Sequence, residues 1–229
     1  MNYAIILAGG KGKRLNSEVP KQFLPVAGRP LICFAIDPIL KSNCFKRVTI
    51  VCNAAYRNLL ENTLTTHFSA DNIEIVPGGD GFLESAFIGF DSIAQNLRDD
   101  DIILYHYAVS PFVSTDMIED NIRICKQNGN AISASPYVQL CCKLNSLKTW
   151  EYLDRNNIMV LNTPQSFRAS LLKTLKEKYE LLAIDNVDEH LTTILLKSGM
   201  KPFFSSGKQV NIKVTTSEDL EFVRNFFER

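Results

Sequence analysis

The chain has no net charge to offer: 25 Lys plus Arg stand against 25 Asp plus Glu in 229 residues. Its overall field therefore gives no reason to expect nucleic acid or an anionic membrane as a partner. No apolar run approaches the length of a membrane span, and Met1-Asn2-Tyr3 leads into strand-type residues without the layout of a signal peptide. The six cysteines lack metal-ligand spacing, Cys141 and Cys142 being adjacent. Cys33, Cys52 and Cys125 lie in apolar runs, where buried reduced thiols are expected. Repeats and low-complexity linkers are also missing. These absences lead to the expectation of one cytoplasmic domain over 1–229, with no metal site built from cysteine.

What is present is concentrated in the first loop. The apolar run Ala4-Ile5-Ile6-Leu7-Ala8 ends in Gly9-Gly10-Lys11-Gly12-Lys13-Arg14, followed by Pro20-Lys21-Gln22-Phe23. Glycines let a backbone approach a ligand and turn its N–H groups inward, and Lys11, Lys13, Arg14 and Lys21 surround that cradle with positive charge. Such a loop suits a polyphosphate. No Ser or Thr follows Lys11 or Lys13, so it is not a P-loop, and Leu15 stands where a dinucleotide fingerprint needs its third glycine. A glycine-rich turn with solvated lysines is the plainer alternative.

Elsewhere, strand-like runs alternate with helical spacing, which predicts a mostly parallel α/β sheet flanked by helices. Strands are expected at 3–7, 47–51, 73–76, 102–106 and 131–134. Helices are expected at 31–40, 54–67, 84–96 and 115–126, the last with Ser114 or Thr115 as N-cap. Thr216-Ser217-Glu218-Asp219 reads as a capping box opening a final helix that reaches Phe227. The stretch 137–161 breaks the alternation and reads as a projecting arm or an irregular surface loop. A ligand belongs at the C-terminal ends of the strands.

Taken together, Leu7-Ala8-Gly9-Gly10-x-Gly-x-Arg14, Pro20-Lys21-Gln22-Phe23-Leu24, Gly78-Gly79-Asp80, Thr163-Pro164-Gln165-Ser166-Phe167 and Asn211-Ile212-Lys213-Val214-Thr215 resemble the polyol-phosphate cytidylyltransferases. These act on methylerythritol phosphate or ribitol 5-phosphate, and the similarity runs over nearly the whole chain. The resemblance implies a Rossmann-like nucleotidyltransferase fold with a β-arm at 137–161 that pairs with a second subunit. It implies transfer of CMP from CTP to a phosphorylated polyol, releasing pyrophosphate, in surface-polysaccharide or isoprenoid precursor synthesis. Arg14, Lys21 and Lys213 match the catalytic cations around the triphosphate. Ala8, Gly9, Gly10, Gly12, Lys21, Gly79 and Ser85 match nucleotide-binding positions. Arg155, supplied across the dimer, and Asp188 match substrate-binding positions. Two anionic reactants need cations that suppress their repulsion and stabilise the charge that crowds the transition state.

The resemblance also shows where this chain departs. The family's His-Asp-Ala-x-Arg-Pro-Phe appears as His106-Tyr107-Ala108-Val109-Ser110-Pro111-Phe112, so an acid and an arginine are missing. A further acidic position is Val210, and Phe82 stands for an arginine in the segment ending at Ser85. Phe82 could stack on a base or sit in the core. Val187 replaces a threonine before Asp188-Glu189, and Val138-Gln139-Leu140 replaces Arg-Asp-Thr. Tyr107 is a poor ligand for magnesium, which prefers carboxylate and water oxygens. No protein metal ligand is therefore assigned, and Mg²⁺ is expected to be held largely by the triphosphate. Three readings stay open: a diverged cytidylyltransferase, a nucleotide-binding homologue with a regulatory or assembly role, and a scaffold that keeps the loop for folding.

Overall fold

A computed structural model describes residues 1–10, 19–69, 71–144, 149–181 and 190–228. Lys11, Gly12, Lys13, Arg14 and Asp188 lie outside the described residues. The chain opens with β1 (Asn2–Ala8), whose side chains from Tyr3 onward are buried on both faces, as a central parallel strand requires. After α1 (Leu31–Lys41), β4 (Arg47–Cys52) pairs parallel to one side of β1, and β5 (Ile73–Pro77) adds parallel to β4. The short strands β2 (Pro25–Val26) and β3 (Arg29–Pro30) form a separate hairpin, and α2 (Arg57–His67) links β4 to β5.

Past α3 (Phe82–Ala94) the chain returns to the opposite side of β1, where β6 (Ile102–Tyr107) pairs parallel to it. The crevice beside the end of β1 is thus a point where strand order reverses, the place at which open α/β sheets bind ligands. The close approach of α3 to the sheet is set by Gly89. A Cβ there would lie 2.8 Å from Ile5 Cγ2 and 2.9 Å from Val51 Cγ2.

The far half of the sheet departs from simple alternation. Following α4 (Thr115–Asn128) and β7 (Asn130–Pro136), the strand β10 (Met159–Arg168) inserts antiparallel between β6 and β7. Sequence periodicity places no strand there, because Thr, Pro, Gln and Ser interrupt the apolar pattern. Pro164 cannot donate to a ladder, and the register against β7 shifts between Asn162 and Gln165 to accommodate it. With β11 (Phe204–Ser206) parallel to β7, the seven-stranded order is β11-β7-β10-β6-β1-β4-β5.

Between β7 and β10, β8 (Cys141–Leu144) and β9 (Trp150–Leu153) form their own antiparallel two-stranded sheet. This hairpin occupies the stretch read as arm or loop, although 159–161 belong to the main sheet. It carries exposed Leu144, Trp150 and Tyr152, and exposed Leu140 directly precedes it.

Helices cover both faces, with α5 (Ala169–Leu181), α6 (Leu191–Lys197) and α7 (Ser217–Phe227) completing the chain. Two apolar clusters form the core. One joins the Ile5, Tyr105 and Phe167 face to α3 and α5; the other joins the Ile6, Ile50 and Leu104 face to α1 and α4. The α7 capping box is present, the Thr216 hydroxyl accepting from Asp219 N–H and the Asp219 carboxylate accepting from Thr216 N–H. Ser114 occupies the N-cap of α4 without a side-chain capping bond, and Gly129 closes that helix at φ 89°. Cys33, Cys52 and Cys125 are buried, which pushes their thiols up to about 11, 11 and 12. Among the described residues no helix is long and apolar enough to cross a membrane.

Candidate active site

A cavity of about 690 Å³ opens where β1, β4, β5 and β6 end. Leu7, Ala8, Gly9 and Gly10 form one wall, Asn53 follows β4, and Gly79, Asp80, Gly81, Phe82 and Ser85 line it from the turn after β5 and the start of α3. Tyr107 and Val109 close it from β6, and Lys213 and Thr215 arrive from the segment before α7. Ala8, Gly9, Gly10, Lys21, Gly79, Ser85 and Lys213 are therefore brought together, although they are spread over most of the chain.

Local chemistry explains how each is held. Pro20 precedes a single 3-10 turn, Lys21–Phe23, whose buried Gln22 amide donates to the Ala8 carbonyl at 2.7 Å. That bond clamps the turn to the end of β1 and aims Lys21 at the cavity. The Lys21 ammonium donates to the Val214 carbonyl at 2.7 Å, tying the first loop to the C-terminal segment. Val214 N–H in turn donates to the Val109 carbonyl at 2.9 Å, and the buried Asn211 amide donates to the Thr163 carbonyl at 2.6 Å. Lys213 thus projects from a backbone fixed at both sides.

Across the cavity, Gly79 N–H donates to Ser85 Oγ at 3.1 Å, and Asp80 N–H donates to Glu84 Oε2 at 2.7 Å. The start of α3 faces the same space, and its partial positive charge favours an anion there. Ser85 is thus engaged with the Gly79 turn as well as lining the cavity.

Two of the departures from the expected pattern, Phe82 and Tyr107, meet in one cluster. Tyr107 Oη and His190 Nδ1 lie 3.0 Å apart. The Phe82 ring packs 5.6 Å from Tyr107 and 4.8 Å from His190, centroid to centroid. Lys213 Nζ sits 4.0 Å from the centroid of the Tyr107 ring. Phe82 lines the cavity and also packs half-buried against the core, so its ring is engaged by protein rather than presented whole to a base. Burial raises the Tyr107 phenol well above its ordinary value, which keeps the hydroxyl protonated. His106 is fully buried, its Nε2 lies 2.9 Å from the Ser110 carbonyl, and burial lowers its pKa to about 4.

One expected residue stands apart from this cavity. Arg155 stands in the turn after β9, outside the cavity of its own chain, and its guanidinium donates to the Val138 carbonyl at 2.9 Å. Gly12, Arg14 and Asp188 lie outside the described residues. Sequence reasoning overlooked His190, Asn53 and the clamping role of Gln22. Gln22 lay inside the Pro-Lys-Gln-Phe motif and Asn53 directly after a strand, both readable signals. His190 had none, since its partner is 83 residues away.

The donor set fits a protein-built magnesium site poorly. Among the described residues, no group of three or more His, Cys, Asp or Glu could hold a metal ion, and Asp80 is the carboxylate lining the cavity. The cations Lys21 and Lys213, both lining the cavity, fit a polyanion well.

A switch-point crevice with a glycine-rich strand end and converging lysines defines a Rossmann-like α/β protein with a cation-lined pocket. The chain belongs to the 2-C-methyl-D-erythritol 4-phosphate cytidylyltransferase (IspD) family, whose model matches residues 2–229. It is 28% identical over 226 residues to a ribitol-5-phosphate cytidylyltransferase of Lacticaseibacillus paracasei, covering 97% of this chain and 96% of that one. It is 31% identical to a 2-C-methyl-D-erythritol 4-phosphate cytidylyltransferase of Geobacillus kaustophilus, covering 97% and 95%. Its fold is similar to the 4-diphosphocytidyl-2C-methyl-D-erythritol synthase of Anaerococcus prevotii, with TM-score 0.84, 22% identity and coverage of 100% and 98%.

Proposed function

We propose that this protein is a cytidylyltransferase that transfers CMP from CTP to a polyol phosphate of the ribitol 5-phosphate or methylerythritol phosphate type. The observation that carries this reading is the convergence of Gly9, Gly10, Lys21 and Lys213 on one crevice. A phosphate oxygen of the acceptor attacks the α-phosphorus of CTP and forms the new P–O bond. The bond from the α-phosphorus to the bridging oxygen breaks, and pyrophosphate leaves with the electron pair. An ionised acceptor phosphate is already a nucleophile, so the chain need not supply a base. Lys21 and Lys213 offset the charge of the two anions and of the crowded intermediate geometry. Magnesium would supply further charge neutralisation when it enters bound to the triphosphate oxygens.

The hairpin of β8 and β9 supports a homodimer. Leu140 is 82% and Trp150 70% exposed in the single chain, which suits burial against a second copy. In that arrangement Arg155 reaches the other subunit's acceptor phosphate, and Asp188 binds acceptor hydroxyls. Trp150→Glu should convert a dimer into a monomer in sedimentation velocity; a wild-type chain that sediments as a monomer overturns the dimer. The buried thiols suit a cytoplasmic enzyme.

Pyrophosphate release from CTP, measured with ribitol 5-phosphate, methylerythritol phosphate and no acceptor, tests the activity. Acceptor-dependent release supports it. A second reading, a nucleotide-binding homologue without turnover, is favoured by the packing of Phe82 against Tyr107, two positions where the family pattern carries charge. A thermal shift with CTP but no release over the panel supports that alternative.

A further inference from the structure

We propose that Tyr107 is a positioning residue for Lys213: its ring face holds the lysine ammonium over the cavity, while His190 and Phe82 hold the ring. The inference rests on reading the cavity as a triphosphate site. Lys213 Nζ is 4.0 Å from the Tyr107 centroid, well inside the range at which the negative face of an aromatic ring attracts a cation. A lysine side chain has four rotatable carbons and loses considerable rotamer freedom when it is fixed. A platform that fixes it in advance removes that loss from the moment of ligand binding.

The platform is itself rigid. Tyr107 ends β6 and is 9% exposed, so its ring is surrounded on most sides. Its hydroxyl is hydrogen-bonded to His190 Nδ1 at 3.0 Å. With the imidazole proton on Nε2 the phenol donates to Nδ1, and with the proton on Nδ1 the imidazole donates to the phenol oxygen. Either polarity pins the ring. Phe82 braces the same pair edge to face, at 61° to Tyr107.

A ring differs from a carboxylate in one consequential way. An ion pair neutralises the ammonium and competes with an incoming phosphate for it, whereas a ring face attracts the cation and leaves its charge whole. The Tyr107 ring therefore orients Lys213 without itself neutralising the ammonium. The rings at 82, 107 and 190 make one unit whose task is to present a single cation.

The contact is read directly in the unliganded full chain by proton NMR. The Lys213 methylene protons near Nζ should be shifted upfield by the Tyr107 ring current, the signal being identified by its loss in Lys213→Met. Tyr107→Phe should keep that shift, and Tyr107→Leu should abolish it. Calorimetry with inorganic tripolyphosphate should then give binding to Tyr107→Leu that is roughly fivefold to thirtyfold weaker than wild type, the range for losing a partly desolvated cation–π contact. Tyr107→Phe should stay within about threefold, the ring being retained. Ordinary Lys213 shifts in wild type overturn the proposal without any variant. So does wild-type tripolyphosphate affinity in a folded Tyr107→Leu. If wild type binds no tripolyphosphate, the triphosphate reading fails, and the ring-current result still decides whether Tyr107 holds Lys213.

Discussion

Lys21 donates its ammonium proton to the Val214 carbonyl at 2.7 Å, joining the first loop to a segment 193 residues later. The bond places one cation at the junction of two cavity-lining segments. It also means that Lys21 has a structural partner as well as a proposed ligand.

Replacing Lys21 should therefore affect both. Lys21→Ala should lower kcat/KM for CTP by at least about a hundredfold, since one preorganised charge on a transferring phosphoryl group is worth about 3 kcal/mol. Unfolding free energy should fall by about 1.5–3 kcal/mol, the net contribution of a hydrogen bond that involves a charged group. Steady-state kinetics beside urea denaturation separates the two, and turnover near wild type would remove Lys21 from the proposed chemistry.

Asn211 is the second anchor of the Lys213 segment. Its amide donates to the Thr163 carbonyl at 2.6 Å in a fully buried setting. Asn211→Ala leaves that carbonyl without a partner and should cost about 1–3 kcal/mol in urea denaturation. The loss of anchoring should also raise KM for CTP. An unchanged KM in a destabilised variant would confine Asn211 to packing.

Gly89 permits the close packing of α3 on the sheet. Gly89→Ala brings a Cβ to 2.8 Å from Ile5 and 2.9 Å from Val51, both buried in the core. Overpacking of this kind should cost about 1–3 kcal/mol, and differential scanning calorimetry should show a lowered Tm. A variant as stable as wild type would mean that α3 can shift at little cost.

Acid sensitivity should come in part from His106. Burial lowers its pKa from 6.5 to about 4, so the unfolded chain binds the proton more readily than the folded one. The His106 contribution is complete above about pH 6.5 and is lost as pH falls from there toward 4, about 3 kcal/mol in all. His106→Gln should flatten the stability profile between pH 6.5 and 4.5. Parallel profiles for the two proteins would show that His106 does not titrate as burial dictates.

Much of the near half of the molecule was legible in the residues. β1, β4, β5 and β6 follow from runs of apolar residues, and the Thr216–Asp219 capping box is a local arrangement of backbone and side chain. Gly9, Gly10 and Lys21 were legible as members of one cationic, glycine-rich loop, Lys213 came from the family resemblance, and all four line one cavity. β10 was not legible. Its polar residues and Pro164 hide a strand that exists because β6 and β7 both offer it hydrogen bonds.

The same division applies to the cavity wall. The sequence motifs carried the family resemblance, and the parallel α/β plan and the first-loop cations were legible because periodicity, backbone permissiveness and charge are properties of short segments. The resemblance also showed that Tyr107 and Phe82 replace charged groups. Only the tertiary structure decided what replaces the lost charges: Tyr107 meets His190 across 83 residues of chain and carries Lys213 on its face. Such contacts arise from where β6, α3 and the segments before α6 and α7 converge, and no local pattern encodes that convergence.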